Sequence, residues 1–305
     1  MHGGHAHQDH HHHDHAHHAP PPSDKRYSIA IALNLGFVLI EGAAGFFANS
    51  TALLSDAAHN LSDVLGLALA GGAAWLAKQN AGDQRTYGFS KATILAALAN
   101  ALVLVFACGG ILWEALRRLQ NPEPVAASWI MGVAAAGVLI NGATALMFMA
   151  GRQNDINARG AFLHMLADAA VSAAVIVAGA LIFFTGFALI DPLVSVGVVG
   201  LILWGAWGLL KESLDLTLDA APRHIDVAKV RGFLEHQTGV IAVHDLHVWA
   251  MGATEPALTA HLVMPEGSDD AFLHRLTHAL EHEFGIGHAT LQIEREHRDQ
   301  CGGHK

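Results

Sequence analysis

Residues 92–113 read ATILAALANALVLVFACGGILW and contain no Asp, Glu, Lys or Arg. As a helix rising about 1.5 Å per residue, this stretch spans the ~30 Å of a bilayer's hydrocarbon core. A second uncharged run, 125–150, follows a short polar link. Both belong to a chain of 305 residues that is 52% hydrophobic, only 14% charged and positive in mean hydropathy, at +0.34. Soluble domains carry roughly 25% charged residues. The stretch therefore predicts an integral membrane protein, not a buried soluble core.

Working outward, six apolar segments are expected at about 28–48, 51–77, 91–116, 126–150, 160–184 and 187–210. Gly and Ala recur along them, which lets transmembrane helices approach closely. If six helices alternate, Lys25, Arg26, Lys78, Arg85, Lys91, Arg152 and Arg159 fall on one side, and only Arg117 and Arg118 on the other. Basic residues favour the cytoplasmic face, so both termini are expected there.

The flanks differ in character. Residues 1–26 form a polar tract with ten histidines between His2 and His18. Its composition suits loose metal binding and no packed core. An affinity tag is the alternative, but the interspersed Asp, Gly and Ala argue against it. The beginning shows no cleavable signal pattern. From 212 the chain turns acidic and His-rich. The order helix (DVAKVRGFLEHQ), strand (AVHDLHVWAM), strand (ALTAHLVM), helix (DDAFLHRLTHALEHEF), strand (HATLQIERE) predicts an α+β domain of ferredoxin-like αββαβ type over 212–296, before a tail at 297–305. The net charge of -10 argues against a nucleic-acid partner. Two distant cysteines, Cys108 and Cys301, make no disulfide framework.

Between residues 19 and 223 there are two histidines, His59 and His164, and each is followed four residues later by an aspartate, Asp63 and Asp168. Residues i and i+4 share a helix face. Helices two and five thus each present one imidazole and one carboxylate, a donor set suited to a tetrahedral divalent ion such as Zn2+. Ionisable groups in a membrane are costly and generally line a pathway. Two buried carboxylates do not readily ionise together without a compensating charge. A dication supplies that charge, so metal entry is expected to drive protons out, as in a proton-coupled antiporter. Asp56, three before His59, is a candidate accessory residue that accepts a hydrogen bond from imidazole or widens the entry. Glu41, Asn34, Asn100 and Asn141 read as interhelical hydrogen-bonding residues. Asp191, before Pro192, reads as the cap of helix six.

The runs STALLSDAAHNLSDVLGLALA, RTYGFSKATILAALANALVL, AFLHMLADAAVS, VHDLHVWAMGATEPALTAHLVM and GIGHATLQIERE resemble the cation diffusion facilitator family in its zinc-transporting branch. The resemblance covers about 27–296. It implies a homodimer in a lipid bilayer and export of Zn2+ or related ions, Cd2+ and Co2+ among them, in exchange for protons. It places the transport site on His59, Asp63, His164 and Asp168. It also makes His244, His261 and Glu294 candidates for a metal-sensing site that stabilises the dimer, with His247 and His288 as weaker members. Thr93 stands where the family often carries an acid. The loop KQNAGDQRTYG has one Asp and no His, so no metal site is expected there.

His244 and His247 are three apart and in a regular strand face opposite sides. His274, His278 and His282 recur every four residues and read as a polar helix face. Cys301 and His304 form a short soft-ligand pair in the tail. Two other classes compete with a transporter: a non-transporting membrane sensor or scaffold, and an intramembrane metalloenzyme. The enzyme needs an open metal position, and there is no H-E-x-x-H. An enzyme is therefore not expected, and a bacterial inner membrane is the expected location.

Overall fold

The computed structural model describes residues 25–149 and 156–296. Six long helices come first: α1 (Lys25–Phe47), α2 (Thr51–Ala77), α3 (Ala92–Gln120), α4 (Ala127–Met149), α5 (Ile156–Thr185) and α6 (Ile190–Thr217). Five of them are long and apolar enough to cross a membrane, and α1 adds a shorter apolar stretch, Ala32–Phe47. Phe106, Trp113, Phe184 and Trp204 are all more than 70% exposed. Apolar surface on that scale requires lipid or protein against it.

Among the described residues, those from Lys25 to Asn60 and those between Asn121 and Val194 form one compact unit. Within it α4 packs on α5 and α1. Small residues set the spacing. A methyl group on Gly179 would lie 2.8 Å from Met131 Cγ, so α4 and α5 touch there at backbone distance. Ala48, Ala52, Leu53, Ile130, Ala134 and Val175 form a small apolar core.

The start of α2 is fixed by an acid from another helix. Ser50 Oγ accepts from Leu53 N. Asp191 accepts from Thr51 N at 2.7 Å, Thr51 Oγ1 at 2.8 Å and Ser50 Oγ at 2.5 Å. The sequence placed Asp191 as the cap of helix six. It lies instead inside the first turn of α6, where its carboxylate turns toward the unpaired amides and hydroxyls that open α2.

Leu61–Gln120 and the described residues from Ser195 to Glu296 form the second unit. Here α2 passes α3 closely: a Cβ on Gly66 would sit 2.9 Å from Asn100 Nδ2. Beyond α6 follow α7 (Val227–Glu235), β1 (Ala242–Gly252), β2 (Glu255–Val263), α8 (Asp270–Phe284) and β3 (His288–Glu294), the expected αββαβ order. Asp226 and Asp269 cap α7 and α8, and Gly285 ends α8 in the left-handed region. The sheet order is β1-β2-β3, with β1 antiparallel and β3 parallel to β2. Val230, Leu234, Leu258, Leu262, Leu280 and Ile286 fill the space between sheet and helices.

The segment entering α3 rests on this domain. Thr93 Oγ1 donates to Ser90 O and accepts from Ala253 N at 2.9 Å, in the β1–β2 turn. Lys91 Nζ pairs with Asp219 at 2.5 Å. The Tyr87 ring meets His288 edge-on at 5.7 Å.

Candidate metal centre

Within the first unit, α2 and α5 bring two imidazoles onto one carboxylate. Asp168 is 2% exposed. His59 Nε2 lies 3.5 Å from its Oδ1, and His164 Nε2 lies 3.7 Å from its Oδ2. The two rings meet edge-on, 6.1 Å between centroids. These separations exceed a good N–H···O bond. They match the ~3.4 Å that separates two ligands each ~2.1 Å from a tetrahedral ion. Asp63 stands one turn beyond His59 on the same face of α2 and is half-buried. Both helices are free of Lys and Arg over the described stretch of α5 from Phe162 and throughout α2.

Asp56 is fully buried and accepts from Ser172 Oγ at 3.0 Å. Asn34 bonds Met165 Sδ across α1 and α5, an interhelical role as expected. Asn141 departs from that expectation: its side chain is buried and finds no hydrogen-bond partner among the described residues. Glu41, read only as interhelical, accepts from Asn60 Nδ2 at 3.1 Å and is 0% exposed.

A second cluster lies on the sheet. His244 and His261 are register partners on β1 and β2, and Val263 pairs with Glu294 on β3. His261 and Val263 share a face, so Glu294 projects beside both imidazoles. His244 Nε2 is 3.0 Å from Glu294 Oε2 and His261 Nδ1 is 2.9 Å from Oε1. One ligand atom from each of the three lies within 4.8 Å of the others, an arrangement able to hold a metal ion. Burial pushes the Glu294 carboxyl up. Hydrogen bonds from His244 and Gln292, with the charges of His244 and His261, together outweigh it and hold the group below the usual carboxylate range.

Asp245 was not singled out by sequence reasoning. It sits at φ 52, in a bulge between His244 and His247 that interrupts the β1–β2 register. The bulge turns its carboxylate toward His261 Nε2 (3.6 Å) and His247 Nε2 (3.0 Å). The signal was the Asp inside HDLH, but regular strand alternation would turn it away from His244. His247 meets the cluster through Asp245, and its side chain is 48% exposed. His288 is exposed and meets the Tyr87 ring edge-on. His274, His278 and His282 are exposed along α8, as expected of a polar face. Residues 78–91 carry no metal-holding group among the described residues. The N-terminal histidine tract, Cys301 and His304 lie outside the described residues.

Comparison with known proteins bears on both centres. Residues 28–216 match the cation efflux transmembrane domain, and residues 222–296 match the cytoplasmic domain of cation efflux proteins. Zinc transporter ZitB of Escherichia coli is 36% identical over 282 residues, covering 91% of this chain and 90% of the relative. The cadmium, cobalt and zinc/H(+)-K(+) antiporter of Bacillus subtilis is 35% identical over 274 residues, 88% of each. Metal cation efflux system protein CzcD of Cupriavidus metallidurans is 36% identical over 278 residues, 90% of this chain and 88% of the relative.

Proposed function

Because this chain belongs to the cation efflux family, we propose that it exports divalent transition-metal cations, Zn2+ foremost, from the cytoplasm in exchange for protons, with His59, Asp63, His164 and Asp168 as the transport ligands. The observation that carries this reading is the convergence of His59 and His164 on the two oxygens of one buried carboxylate, Asp168, at 3.5 and 3.7 Å. Relatives are named for zinc, cadmium and cobalt, and a set of two imidazoles and two carboxylates suits those ions better than Mg2+ or Ca2+.

The exchange follows from the same contacts. A proton on either ring neutralises Asp168 from one side. A cation among the ligands neutralises it from within, and it needs the imidazole nitrogens unprotonated. The two occupants exclude one another, so metal entry releases protons and proton entry on the far side releases metal. Asp63, one turn along α2, supplies the second carboxylate. The cytoplasmic trio His244, His261 and Glu294 takes a regulatory ion that draws two copies together, a role supported by the match of this domain to the dimer-forming cytoplasmic domain of the family. Both termini lie in the cytoplasm, and the bilayer is the inner membrane of a bacterium.

Zinc flux into proteoliposomes under an imposed pH gradient tests the transport ligands. His59→Ala and Asp168→Ala, one from each helix, are expected to lose flux to a similar extent, by at least ~100-fold, because losing even a ligand's supporting contacts costs 10–100-fold. Flux retained in either folded variant refutes the ligand set. Flux indifferent to the pH gradient refutes the coupling. A sensor that does not transport would show zinc binding in the wild type with no flux at all.

A further inference from the structure

Neither metal centre uses the histidines of α8. His274, His278 and His282 recur every four residues along that helix. Its apolar side buries Leu276 and Leu280 in the domain core. At 3.6 residues per turn His278 stands nearly opposite that pair, so the row runs down the middle of the solvent face. All three residues are exposed. Among the described residues no hydrogen bond or ion pair engages their rings. Solubility alone is served as well by Lys, Glu or Gln, which are also better helix formers than His.

The last two turns hold the stronger donor set. Residues 278–282 read HALEH. Positions three and four apart are neighbours on a helix surface, so Glu281 and His282 both stand beside His278. H-x-x-E-H is an order in which two histidines on one helix face hold zinc. The His278 and His282 rings lie 13° from parallel, with centroids 6.4 Å apart. An ion ~2.1 Å from each of two ligands needs their nitrogens about 3.4 Å apart. Both rings are exposed, so turning them on their side-chain bonds toward one another needs no repacking of the core. The turn before repeats the four-residue step from His274 to His278, but it offers Arg275 and Thr277 where an acid would add a ligand. The site also lies at the end of α8, where Gly285 N closes on Glu281 O and Ile286 N on Leu280 O. The partial negative charge of a helix C-terminus favours a cation there.

We propose that His278, Glu281 and His282 form a further metal site on the solvent face of α8, which takes Zn2+ or another imidazole-seeking divalent cation from solution and keeps water in its remaining positions. Imidazole nitrogens select such ions over Mg2+ and Ca2+, which prefer oxygen shells. The site shares no residue with the membrane ligands or with His244, His261 and Glu294. Its three side chains must be ordered on binding. It therefore fills at higher zinc concentration than the sheet cluster, whose ligand atoms already lie within 4.8 Å of one another. An ion across one helical turn ties down the end of α8, from which Gly285 leads the chain toward β3 and Glu294. Occupancy stiffens this element only when metal is abundant.

The test is amide hydrogen exchange of the full-length, detergent-purified chain, with ZnCl2 as the probe. The background is His244→Ala/His261→Ala, which removes the sheet cluster. Exchange of the Gly285 and Ile286 amides is expected to slow as zinc rises, by about tenfold at ten times the dissociation constant of the α8 site. Adding His278→Gln/His282→Gln, with a good helix former at both positions, is expected to abolish the slowing. MgCl2 should leave exchange unchanged. Slowing that survives the Gln pair, slowing that Mg2+ reproduces, or no response to zinc in the background variant overturns the proposal. If either variant does not fold, diethyl pyrocarbonate labelling of the wild type decides, because the reagent modifies imidazoles that hold no metal. Zinc is expected to shield His278 and His282 while exposed His224 is still labelled. Labelling of His278 and His282 that zinc does not alter overturns the site.

Discussion

Asp191→Ala tests the buried attachment at the start of α2. The substitution removes the acceptor of three hydrogen bonds, from Ser50 Oγ, Thr51 N and Thr51 Oγ1, at a side chain that is 1% exposed. Hydrogen bonds to a charged acceptor contribute about 1.5–3 kcal/mol each. Their full sum overstates the loss, because the two hydroxyls can turn to nearby backbone carbonyls and the three contacts are coupled. The Thr51 amide has no such freedom, and a lost cap alone costs about 1 kcal/mol. A net loss of roughly 3 kcal/mol follows, a factor of about a hundred in the folding equilibrium. Asp191→Asn keeps one acceptor and most of the volume, so it should lose about half as much. The assay is unfolding of the purified chain in mild detergent, followed by tryptophan fluorescence, with zinc affinity measured in parallel by chelator competition. Stability should fall in the order wild type, Asn, Ala, while zinc affinity changes far less, since the attachment lies two turns from His59. An Ala variant as stable as wild type would refute the reasoning and return Asp191 to a local role at the start of α6.

Other perturbations address the second unit. Thr93→Val removes the acceptor for Ala253 N; a loss of about 1 kcal/mol should speed amide exchange at Ala253 roughly fivefold, and unchanged exchange would deny the contact. Zinc at a hundredfold over its dissociation constant should stabilise the cytoplasmic domain by about 2.7 kcal/mol, a gain that His244→Ala/His261→Ala abolishes in thermal melts of the full chain. Glu294 is held below its usual range in the folded state, so it contributes stability that is present above the unfolded value of about 4.5 and is lost as pH falls through the depressed folded value. Exchange protection of β3 should therefore weaken on acidification below about pH 4.5, and Glu294→Gln should flatten that dependence.

Much of the fold was legible because its signals are local. Uncharged runs announce spanning helices, and the i,i+4 spacing in HNLSD and HMLAD puts His59 with Asp63 and His164 with Asp168 on single faces. Asp226, Asp269 and Gly285 mark the ends of α7 and α8 by their own chemistry. What escaped is non-local or breaks a period. Asp191 acts on residues 140 positions earlier, and no spacing rule reports that. Asp245 reaches His261 because it is itself a left-handed residue in a bulge, a departure from regular strand alternation that no spacing rule reports. Glu41 looked like one polar residue among several until its full burial and the hydrogen bond from Asn60 distinguished it from Asn34. His288 was a weaker candidate by resemblance, and the Tyr87 ring beside it is a non-local contact that the sequence does not report.

The close passage of α4 carries a consequence for design. A Cβ at Gly137 would lie 2.8 Å from both Phe37 Cζ and Ser172 Oγ. Ser172 is the hydroxyl that holds Asp56. The missing side chain at 137 therefore acts as a shim of zero thickness: α4 has no ionisable group to offer, yet its bulk decides whether that hydroxyl reaches its acid. Gly137→Ala would press on that hydroxyl from a neighbouring helix, with no change to any charged residue. This makes position 137 a steric handle on the Ser172–Asp56 hydrogen bond.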